Sequence, residues 1–426
     1  MAGFDLVRRT GARLVRRRPA AGLPAAGGSV LSEPDFMRLW LVGLVVFAVR
    51  WLEMLAVAVF AYQRTGSPFV VALLTMLRVL PMALFGAVIG AAAERVERRT
   101  ALVFVLVSML LTSLSLAVLA WTGALAVWHL AVASFVNGIG WTTDNPVRRT
   151  LIGEVVGSER MSRAMSIDVG ANNASRMLGP TLGGVLLAGV GIGGAFSVSV
   201  ICYLVAIAAA VQIRHRRSGG AGGAQSILAR MLAGLMLVRH DRRLTAILVI
   251  TVIYNVFGWP FTSMVPVIGH DRLALGPAGI GLLSSMDGVG AFCGAIAIAI
   301  SARPAFFSRL YLGGVFGYLM LVPLFAWAAD PLLAGGVLLA TGIANAGFSI
   351  MQATLVYLAA PAEMRSRVFG VLSVCIGTGM LGFIHIGILA GAIGAPSAAA
   401  ATGIEGLVAM LLTRRWWRPL LHAAAS

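Results

Sequence analysis

The sequence lacks lysine and contains little charge of either sign. All 33 basic residues of the 426 are arginine, charged residues make up 12% of the chain, and hydrophobic residues make up 59%. The mean hydropathy of +0.91 lies far above the range of soluble globular domains. We attribute the missing lysine to a compositional bias rather than to chemistry. The scarcity of charge predicts a polytopic membrane protein.

Motifs that would indicate an enzyme or an ATP-driven pump are also missing. The polar segments contain no Walker-type loop, no His-rich cluster and no Ser/His/Asp grouping. The three cysteines, Cys202, Cys293 and Cys375, lie singly within apolar runs, without paired or metal-ligand spacing. We therefore expect no enzyme activity, no cofactor and no bound metal.

Apolar runs of about 20 to 28 residues recur along the chain. Each run is long enough for an α-helix to cross a membrane, and the alternating pattern of β-barrel strands is absent. The sequence therefore predicts an all-α integral membrane protein with twelve transmembrane helices. The predicted spans are 37–62, 69–93, 100–122, 125–146, 164–189, 192–212, 244–269, 276–301, 306–328, 331–358, 366–389 and 392–412.

The positions of the arginines predict the topology. With both termini on one side, 28 arginines lie in, or within four residues of, the tails, the central linker and the even-to-odd loops, whereas Arg64 and Arg272 lie on the other side. Positive loops face the cytoplasm. We therefore expect a multi-pass protein of the bacterial cytoplasmic membrane with both termini inside. Because the arginines flank spans, the net charge of +17 does not indicate a nucleic-acid partner.

The longest polar interruption divides the predicted spans into six and six. Two short repeats support related halves, since "ERMSRAM" at 159–165 resembles "EMRSRVF" at 363–369, and Asn137 corresponds to Asn345. Halves of this kind are typical of secondary transporters. The predicted domains are a basic N-terminal tail (1–36), an N-terminal six-helix bundle (37–213), a cytoplasmic linker (214–243), a C-terminal six-helix bundle (244–412) and a C-terminal tail (413–426).

The loop between spans two and three carries a family resemblance. The stretch "GAAAERVERR" at 90–99 resembles the signature loop of the major facilitator superfamily, with Glu in place of the usual Asp and Glu97 in place of the usual Gly. By this resemblance we expect a conformational latch that favours the outward-open arrangement, in which the loop arginines pair with Asp144 on span four. The expected latch residues are Gly90, Glu94, Arg95, Arg98, Arg99 and Asp144.

Span five resembles a second motif of the superfamily, one found in its proton-coupled exporters. In "NASRMLGPTLGG", residues 173–184, the matching positions are Gly179, Pro180, Gly183 and Gly184. Small residues allow close helix contact, and proline permits a kink. We expect Gly179 and Gly183 to face another helix, where leucine would block movement and alanine would be nearly tolerated. The chain from 37 to 412 is also similar to the branch that contains the enterobactin exporter and macrolide efflux proteins.

Five charged residues lie deep inside predicted spans, and such residues persist when they face a cavity or one another. Three are positive and two negative, so an anionic substrate is favoured, unless Arg176 pairs with Asp287 and cancels the field. We expect Glu53 to carry the coupling proton with Arg50 as its switch, and Asp287 is the rival carrier. The candidate coupling residues are Arg50, Glu53, Arg78, Arg176 and Asp287.

Polar side chains on spans four, seven and ten complete the candidate site, because these spans line the cavity in the superfamily. Interhelical hydrogen bonding is the alternative role for each. They are Asn137, Trp141, Tyr254, Asn255, Asn345 and Gln352. His385 and Glu405 also lie inside spans, and the sequence assigns them no role.

The resemblance implies a monomeric, proton-coupled exporter of a small organic molecule such as a metabolite, siderophore or drug, with membrane lipids around it. An importer on the same fold and a non-transporting assembly or sensor protein remain the alternatives.

Overall fold

The computed structural model describes residues 29–93, 97–214, 235–361, 364–418 and 420. All regular secondary structure in these ranges is helical, which confirms the predicted all-α class. The basic tail 1–28 and most of the linker, 215–234, lie outside the described residues. Within the predicted linker, 235–240 is a helical segment.

Three helices open the chain. The first, α1, has proline at its first position and ends at Gly66, whose φ of 61° reverses the chain into α2. Glycine adopts this left-handed conformation without steric cost. A short 3₁₀ turn, Val30–Ser32, precedes α1. The helices are α1 (Pro34–Thr65), α2 (Pro68–Ala93) and α3 (Arg98–Trp121).

An 85-residue helical run, Val127–Val211, follows. Gly157 and Gly191 interrupt it with φ of 76° and 68°, which only glycine adopts readily. The interruptions divide the run into α4 (127–156), α5 (158–190) and α6 (192–211). The sequence predicts a loop between spans four and five, from 147 to 163, whereas the structure continues helix α4 to the turn at Gly157.

The second half of the chain begins with an irregular helix. In α7 (Arg242–Asp271) a 12-residue α-helix, Arg242–Ile253, gives way to a π-helix at Tyr254–Gly258 and then to a 3₁₀ stretch at Trp259–Met264. Pro260 has no N–H to donate, which accounts for the departure from α-helical pairing. The remaining helices are α8 (Pro277–Ser301), α9 (Phe307–Ala326), α10 (Pro331–Ala359), α11 (Arg365–Gly377 and Gly379–Ile393), α12 (Ala395–Leu412) and a terminal turn at Arg414–Trp417.

The described helices accommodate the twelve predicted spans. Ten segments among the described residues are long and apolar enough to cross a membrane. One of them, Glu159–Val211, has 53 residues and is broken at Gly191, so it provides two crossings. The segment 127–156 occupies the place of predicted span four.

Buried hydrophobic side chains form clusters that follow the order of the chain. One large cluster is built from α1, α3, α4, α5 and α6, and another mainly from α7 to α12. These two groups of helices meet where α5 packs on α8, α2 on α11 and α1 on α7. We call the end with the α1–α2 and α7–α8 connections the α1–α2 end, and the opposite end the α2–α3 end.

The two groups touch between the middle of the helices and the α1–α2 end. At that end the Tyr62 hydroxyl donates to the Asp271 carboxylate. Further in, Gly387 packs against Phe69, and Gly377 against Ala83. The α1–α2 end is therefore closed in this state.

Candidate functional site

A cavity lies between the two groups of helices. Its volume of about 90 Å³ is below the roughly 300–1,000 Å³ of typical ligand sites, so a larger ligand requires the helices to move apart. The cavity draws residues from α1, α2, α5, α7, α8, α10 and α11. Its lining residues are Arg50, Trp51, Met54, Leu55, Ala58, Thr75, Arg176, Pro180, Trp259, Thr262, Ser263, Val265, Pro266, Ser284, Asp287, Leu338 and Phe383.

Arg50 reaches the cavity from the middle of α1. Its guanidinium carbon lies 3.6 Å from the centroid of the Trp141 ring and 5.3 Å from that of Trp51. This is the stacked geometry of a cation–π contact. The Arg50 Nε is buried without a hydrogen-bond partner, and no carboxylate among the described residues pairs with this side chain. Arg50 is therefore a stacked but uncompensated charge.

Arg176 and Asp287 form an ion pair across the cavity wall, joining α5 to α8. This pairing is the one the sequence left open. With the Asn345 amide oxygen turned towards Arg176, it accepts hydrogen bonds from Nη1 at 2.7 Å and Nη2 at 3.0 Å. The amide nitrogen of Asn345 then donates to the Tyr254 hydroxyl, 2.9 Å away. Arg176 thus links one group of helices to two helices of the other.

Small residues allow α5 and α8 to approach closely beside this pair. A Cβ on Gly288 would lie 2.6 Å from the Arg176 carbonyl oxygen, and one on Gly184 would lie 3.0 Å from the Gly281 Cα. The Thr181 backbone N–H also donates to the Ser285 hydroxyl at 3.1 Å. The ion pair consequently lies at a close junction of the two groups.

Glu53 lies behind the cavity rather than in its wall. Its carboxylate accepts hydrogen bonds from Ser113 at 2.6 Å and Asn137 at 3.1 Å, and the residue is 1% exposed. Glu53 forms no ion pair with the described residues, although Arg78 interacts with it electrostatically. The expected Arg50–Glu53 pair is therefore wrong: the two side chains lie three residues apart but turn to different neighbours.

Some of the remaining candidate residues contact Glu53 or Arg50, and others form hydrogen bonds within or between helices away from the cavity. Asn137 and Trp141 contact Glu53 and Arg50 respectively, and the buried Arg78 has an unpartnered Nε. By contrast, Asn255 donates to the Thr251 carbonyl and Gln352 donates to the Thr251 hydroxyl, both at 2.8 Å. The Asn255 hydrogen bond lies within α7, and the Gln352 hydrogen bond joins α10 to α7. Neither side chain lines the cavity. Tyr254 stacks on Phe348 at 3.8 Å between centroids.

The charged groups near the α2–α3 end pair differently from the expected latch. Arg98 pairs with Glu154, and Arg99 donates to the Val211 carbonyl oxygen. Asp144 lies instead 3.3 Å from Arg148 Nε. Neither Arg98 nor Arg99 pairs with Asp144 in the described state, because Arg148, one helical turn further along α4, occupies that carboxylate. The side chains at Gly90, Glu94 and Arg95 lie outside the described residues.

Arg148 is the centre of a fully buried charge cluster. Arg148, Asp144 and Asp168 are all 0% exposed, and Asp168 pairs with Arg148 from α5. Gly43 leaves room for the guanidinium, since a Cβ there would lie 2.7 Å from its carbon. Sequence analysis missed Asp168, and the signal for it was an acid placed only four residues inside the predicted fifth span.

The glycines of the span-five motif face two different helices. A Cβ on Gly179 would lie 2.5 Å from the Trp51 Cβ, and one on Gly183 would lie 2.7 Å from the Leu52 carbonyl oxygen, so both face α1. Gly184 faces α8, and Pro180 lies in the cavity wall. A methyl group at Gly183 would overlap with the α1 backbone, which argues against the expectation that alanine is nearly tolerated there.

Two further polar pairs could not be found from sequence. Tyr62 and Asp271 lie 209 residues apart and meet only where α1 touches α7. His385 Nε2 lies 2.6 Å from the Glu405 carboxylate, which links α11 to α12. Each pair depends on which helices are neighbours, and the sequence carried no signal for that.

Comparison with known proteins identifies the family. The transmembrane secretion effector family of the major facilitator superfamily matches residues 26–425. The chain belongs to this family. The resemblance to that superfamily and to macrolide efflux proteins is thereby confirmed.

Named relatives extend the comparison. Macrolide efflux protein A of Streptococcus pyogenes is 20% identical over 240 residues, covering 55% of this chain and 59% of that protein. The multidrug efflux pump Tap of Mycolicibacterium fortuitum is 24% identical over 389 residues, covering 87% and 92%. The chain thus spans about three fifths of the macrolide efflux protein that it matches.

Solved structures share the fold. A bacterial homologue of the human lysosomal transporter Spinster, in an inward-facing and unoccupied conformation, superposes with a TM-score of 0.71 at 14% identity, covering 93% of this chain and 98% of that one. The nucleoside transporter NupG gives 0.72 at 11% identity, covering 90% and 99%. The apolar helices and the bacterial relatives place the chain among multi-pass proteins of the bacterial inner membrane.

Proposed function

We propose that this protein is a proton-coupled secondary transporter that exports a small organic molecule by alternating access. The observation that carries the proposal is the Arg176–Asp287 ion pair, which lies in a cavity wall and joins the two groups of helices. A charge pair at this junction can respond both to a proton and to a ligand. The sequence-based division into two six-helix bundles is part of the same proposal.

The arginine distribution supports an orientation with both termini in the cytoplasm. The α2–α3 end then faces the cytoplasm and the α1–α2 end faces outwards. Since the Tyr62–Asp271 hydrogen bond and the α5–α8 junction close the outer end, the described state is inward-facing. A substrate would enter this state from the cytoplasm.

Asp287 is the better candidate for the proton carrier. As a carboxylate it holds Arg176 by charge and favours the state in which α5 and α8 are joined. Protonation removes that charge, so the pair weakens and the outer end is released. A substrate group that donates a hydrogen bond to the Asp287 carboxylate would compete with the proton for it, and this competition supplies the linkage that an antiporter needs.

Glu53 is the second candidate. It is a buried carboxylate that has hydrogen-bond donors but no ion pair among the described residues. Such a carboxylate takes up a proton more readily than a paired one. Glu53 is not among the lining residues of the cavity, so a ligand there would act on it through intervening side chains such as Asn137.

Export rather than import is supported by relatives whose names describe efflux. Import and a non-transporting role are the alternatives. In the assay below, the direction of movement distinguishes export from import, and the absence of uphill movement would indicate a non-transporting role.

The test uses full-length protein in vesicles with an imposed pH gradient, and two probes of opposite charge, radiolabelled erythromycin and naphthalene-2-sulfonate. We expect the wild type to move at least one probe against that probe's own concentration gradient, driven by the imposed proton gradient. Asp287→Asn should lose uphill movement and retain exchange down a gradient, because the amide binds no coupling proton. The matched control is Asp330→Asn. Asp330 is the N-cap of α10, and asparagine caps a helix about as well as aspartate does.

Loss of uphill movement in Glu53→Gln instead would assign the proton to Glu53. If neither probe moves faster than through protein-free vesicles, the transport proposal is wrong.

A further inference from the structure

We propose that the cavity selects organic monoanions, an oxyanion head such as a carboxylate on an apolar, aromatic body, and that Arg50 is the residue that recognises the head. This inference rests on the proposed function for its role in transport. The charges and the wall of the cavity alone support it.

The charge balance of the cavity is uneven. Its charged lining residues are Arg50, Arg176 and Asp287. Arg176 and Asp287 neutralise each other. One positive charge, on Arg50, is left without a counter-charge in a low-dielectric site, where an isolated ion is costly. A ligand with a single negative charge would restore neutrality, whereas a cation would add to the excess.

The surroundings of Arg50 leave its donors for a ligand. The face of its guanidinium is covered by Trp141. Its Nε has no hydrogen-bond partner, and the terminal amino groups make no hydrogen bond to a described residue. A planar guanidinium with free donors along its edge matches the two oxygens of a carboxylate. The tryptophan holds the plane in place, so little freedom is lost on binding.

The rest of the wall fits an apolar body with few polar groups. Trp51, Trp259 and Phe383 supply ring faces and edges, and Met54, Leu55, Val265 and Leu338 supply aliphatic surface. The polar groups beyond the charges are hydroxyls, from Thr75, Thr262, Ser263 and Ser284. Trp51 lies between the two arginines, with the Arg176 guanidinium carbon 5.7 Å from its ring centroid. An aromatic ring attached to the head would therefore lie against Trp51.

The experiment measures binding to purified full-length protein in lipid nanodiscs by quenching of tryptophan fluorescence. The probes share one ring system: naphthalene-2-carboxylate, its primary amide, and 2-(aminomethyl)naphthalene. At neutral pH they carry one negative charge, no charge and one positive charge. We expect the carboxylate to bind at least about tenfold more tightly than the amide, and the amine to bind more weakly still.

Arg50→Gln should lose the preference for the carboxylate, and Arg50→Lys should keep part of it, because lysine retains the charge without the planar fork. The matched control is Arg64→Gln, which removes an exposed arginine that stacks on Phe60 at 5.5 Å. That variant should bind all three probes like the wild type. Thermal melting of each variant in the same nanodiscs identifies any that fail to fold. If Arg50→Gln does not fold, the probe preference of Arg50→Lys is compared with that of the wild type instead.

The inference is overturned if the amine or the amide binds as tightly as the carboxylate, if Arg50→Gln keeps the full preference, or if the carboxylate does not bind at millimolar concentration. The outcome for the transport proposal is separate from the outcome for this inference. Uphill movement of erythromycin by the wild type would uphold transport while contradicting the anion preference. Tight carboxylate binding without movement of either transport probe would uphold the site and contradict transport.

Discussion

Buried arginines in this chain are of two kinds. Arg148 has carboxylates on two sides, Asp144 and Asp168, and all three are fully buried. Arg50 has aromatic rings as neighbours and no paired carboxylate among the described residues. A buried charge cluster with partners is structural by default, since removing one member leaves another uncompensated. An unpartnered charge beside a cavity is instead a candidate for ligand binding.

Arg148→Met should therefore destabilise the protein strongly. It leaves Asp144 without a cation among the described residues and Asp168 with only the partly exposed Arg149. Removing one partner of a buried ion pair costs roughly 3–5 kcal/mol in comparable cases. Arg149→Ala is the matched control, because the adjacent arginine also pairs with Asp168 but its side chain is 41% exposed. Thermal melting in detergent checks both. Equal melting temperatures for Arg148→Met and the wild type would show that the cluster does not stabilise the fold.

The corrected pairing near the α2–α3 end gives a double-mutant test. Arg98→Ala and Glu154→Gln remove the two sides of one ion pair, so their effects on stability should be non-additive, with a coupling of roughly 0.5–3 kcal/mol. Arg98→Ala and Asp144→Asn should be additive, since Asp144 pairs with Arg148. Denaturation of the single and double variants supplies the cycle. Non-additivity in the second pair would restore the latch expected from the sequence motif.

Two adjacent glycines show how one helix serves two interfaces. Gly183 faces α1, within the first group of helices, and Gly184 faces α8, in the second group. Successive residues of a helix point about 100° apart, so neighbouring positions contact different partners. The first contact is expected to persist through the transport cycle. The second has to open whenever the outer end opens.

Alanine at these two positions should have different effects. Gly184→Ala overpacks the α5–α8 junction by roughly 1–3 kcal/mol, enough to shift a two-state population by about 5–150-fold towards the outward-open state. Gly183→Ala should lower stability without that shift. The measurement is labelling of Ser263→Cys in the cavity wall by an external, impermeant maleimide, in a background without the native cysteines. Unchanged labelling in Gly184→Ala would show that this junction does not close the outer end.

At the scale of the whole molecule, the asymmetry of arginine sets the expected orientation. The connections at the α2–α3 end, together with the tails, carry 28 arginines, and those at the other end carry Arg64 and Arg272. Positive segments remain in the cytoplasm during insertion. The inward-facing assignment depends on this orientation, because the closed end is outer only if the arginine-rich end is inner.

Fusions to reporter proteins test the orientation. Alkaline phosphatase, which is active only outside the cytoplasm, should be active when fused after Gly123 and inactive when fused after Arg303. Green fluorescent protein should be fluorescent at the C-terminus. The opposite pattern would reverse the topology and make the described state outward-facing.

Much of the fold was predictable from local pattern. A run of some twenty apolar residues crosses a membrane whatever its neighbours are, so hydropathy alone located the spans. The turn at Gly157 was not predicted in place: the sequence predicts a loop over 147–163, whereas helix α4 continues to that glycine, whose positive φ ends it. The family motif and the charges inside spans were also visible in the sequence, as was the alternative that Arg176 pairs with Asp287.

Only the tertiary structure decided which charges meet. Arg50 and Glu53 lie one helical turn apart in sequence, yet one turns to Trp141 and the cavity and the other to Ser113 and Asn137. Asp144 was expected to meet a loop arginine and instead meets Arg148. The physical reason is that hydropathy determines where a helix crosses the membrane but not how it is rotated about its axis. That rotation is set by small-residue contacts between helices distant in sequence, and it decides whether a buried charge faces a partner or a cavity.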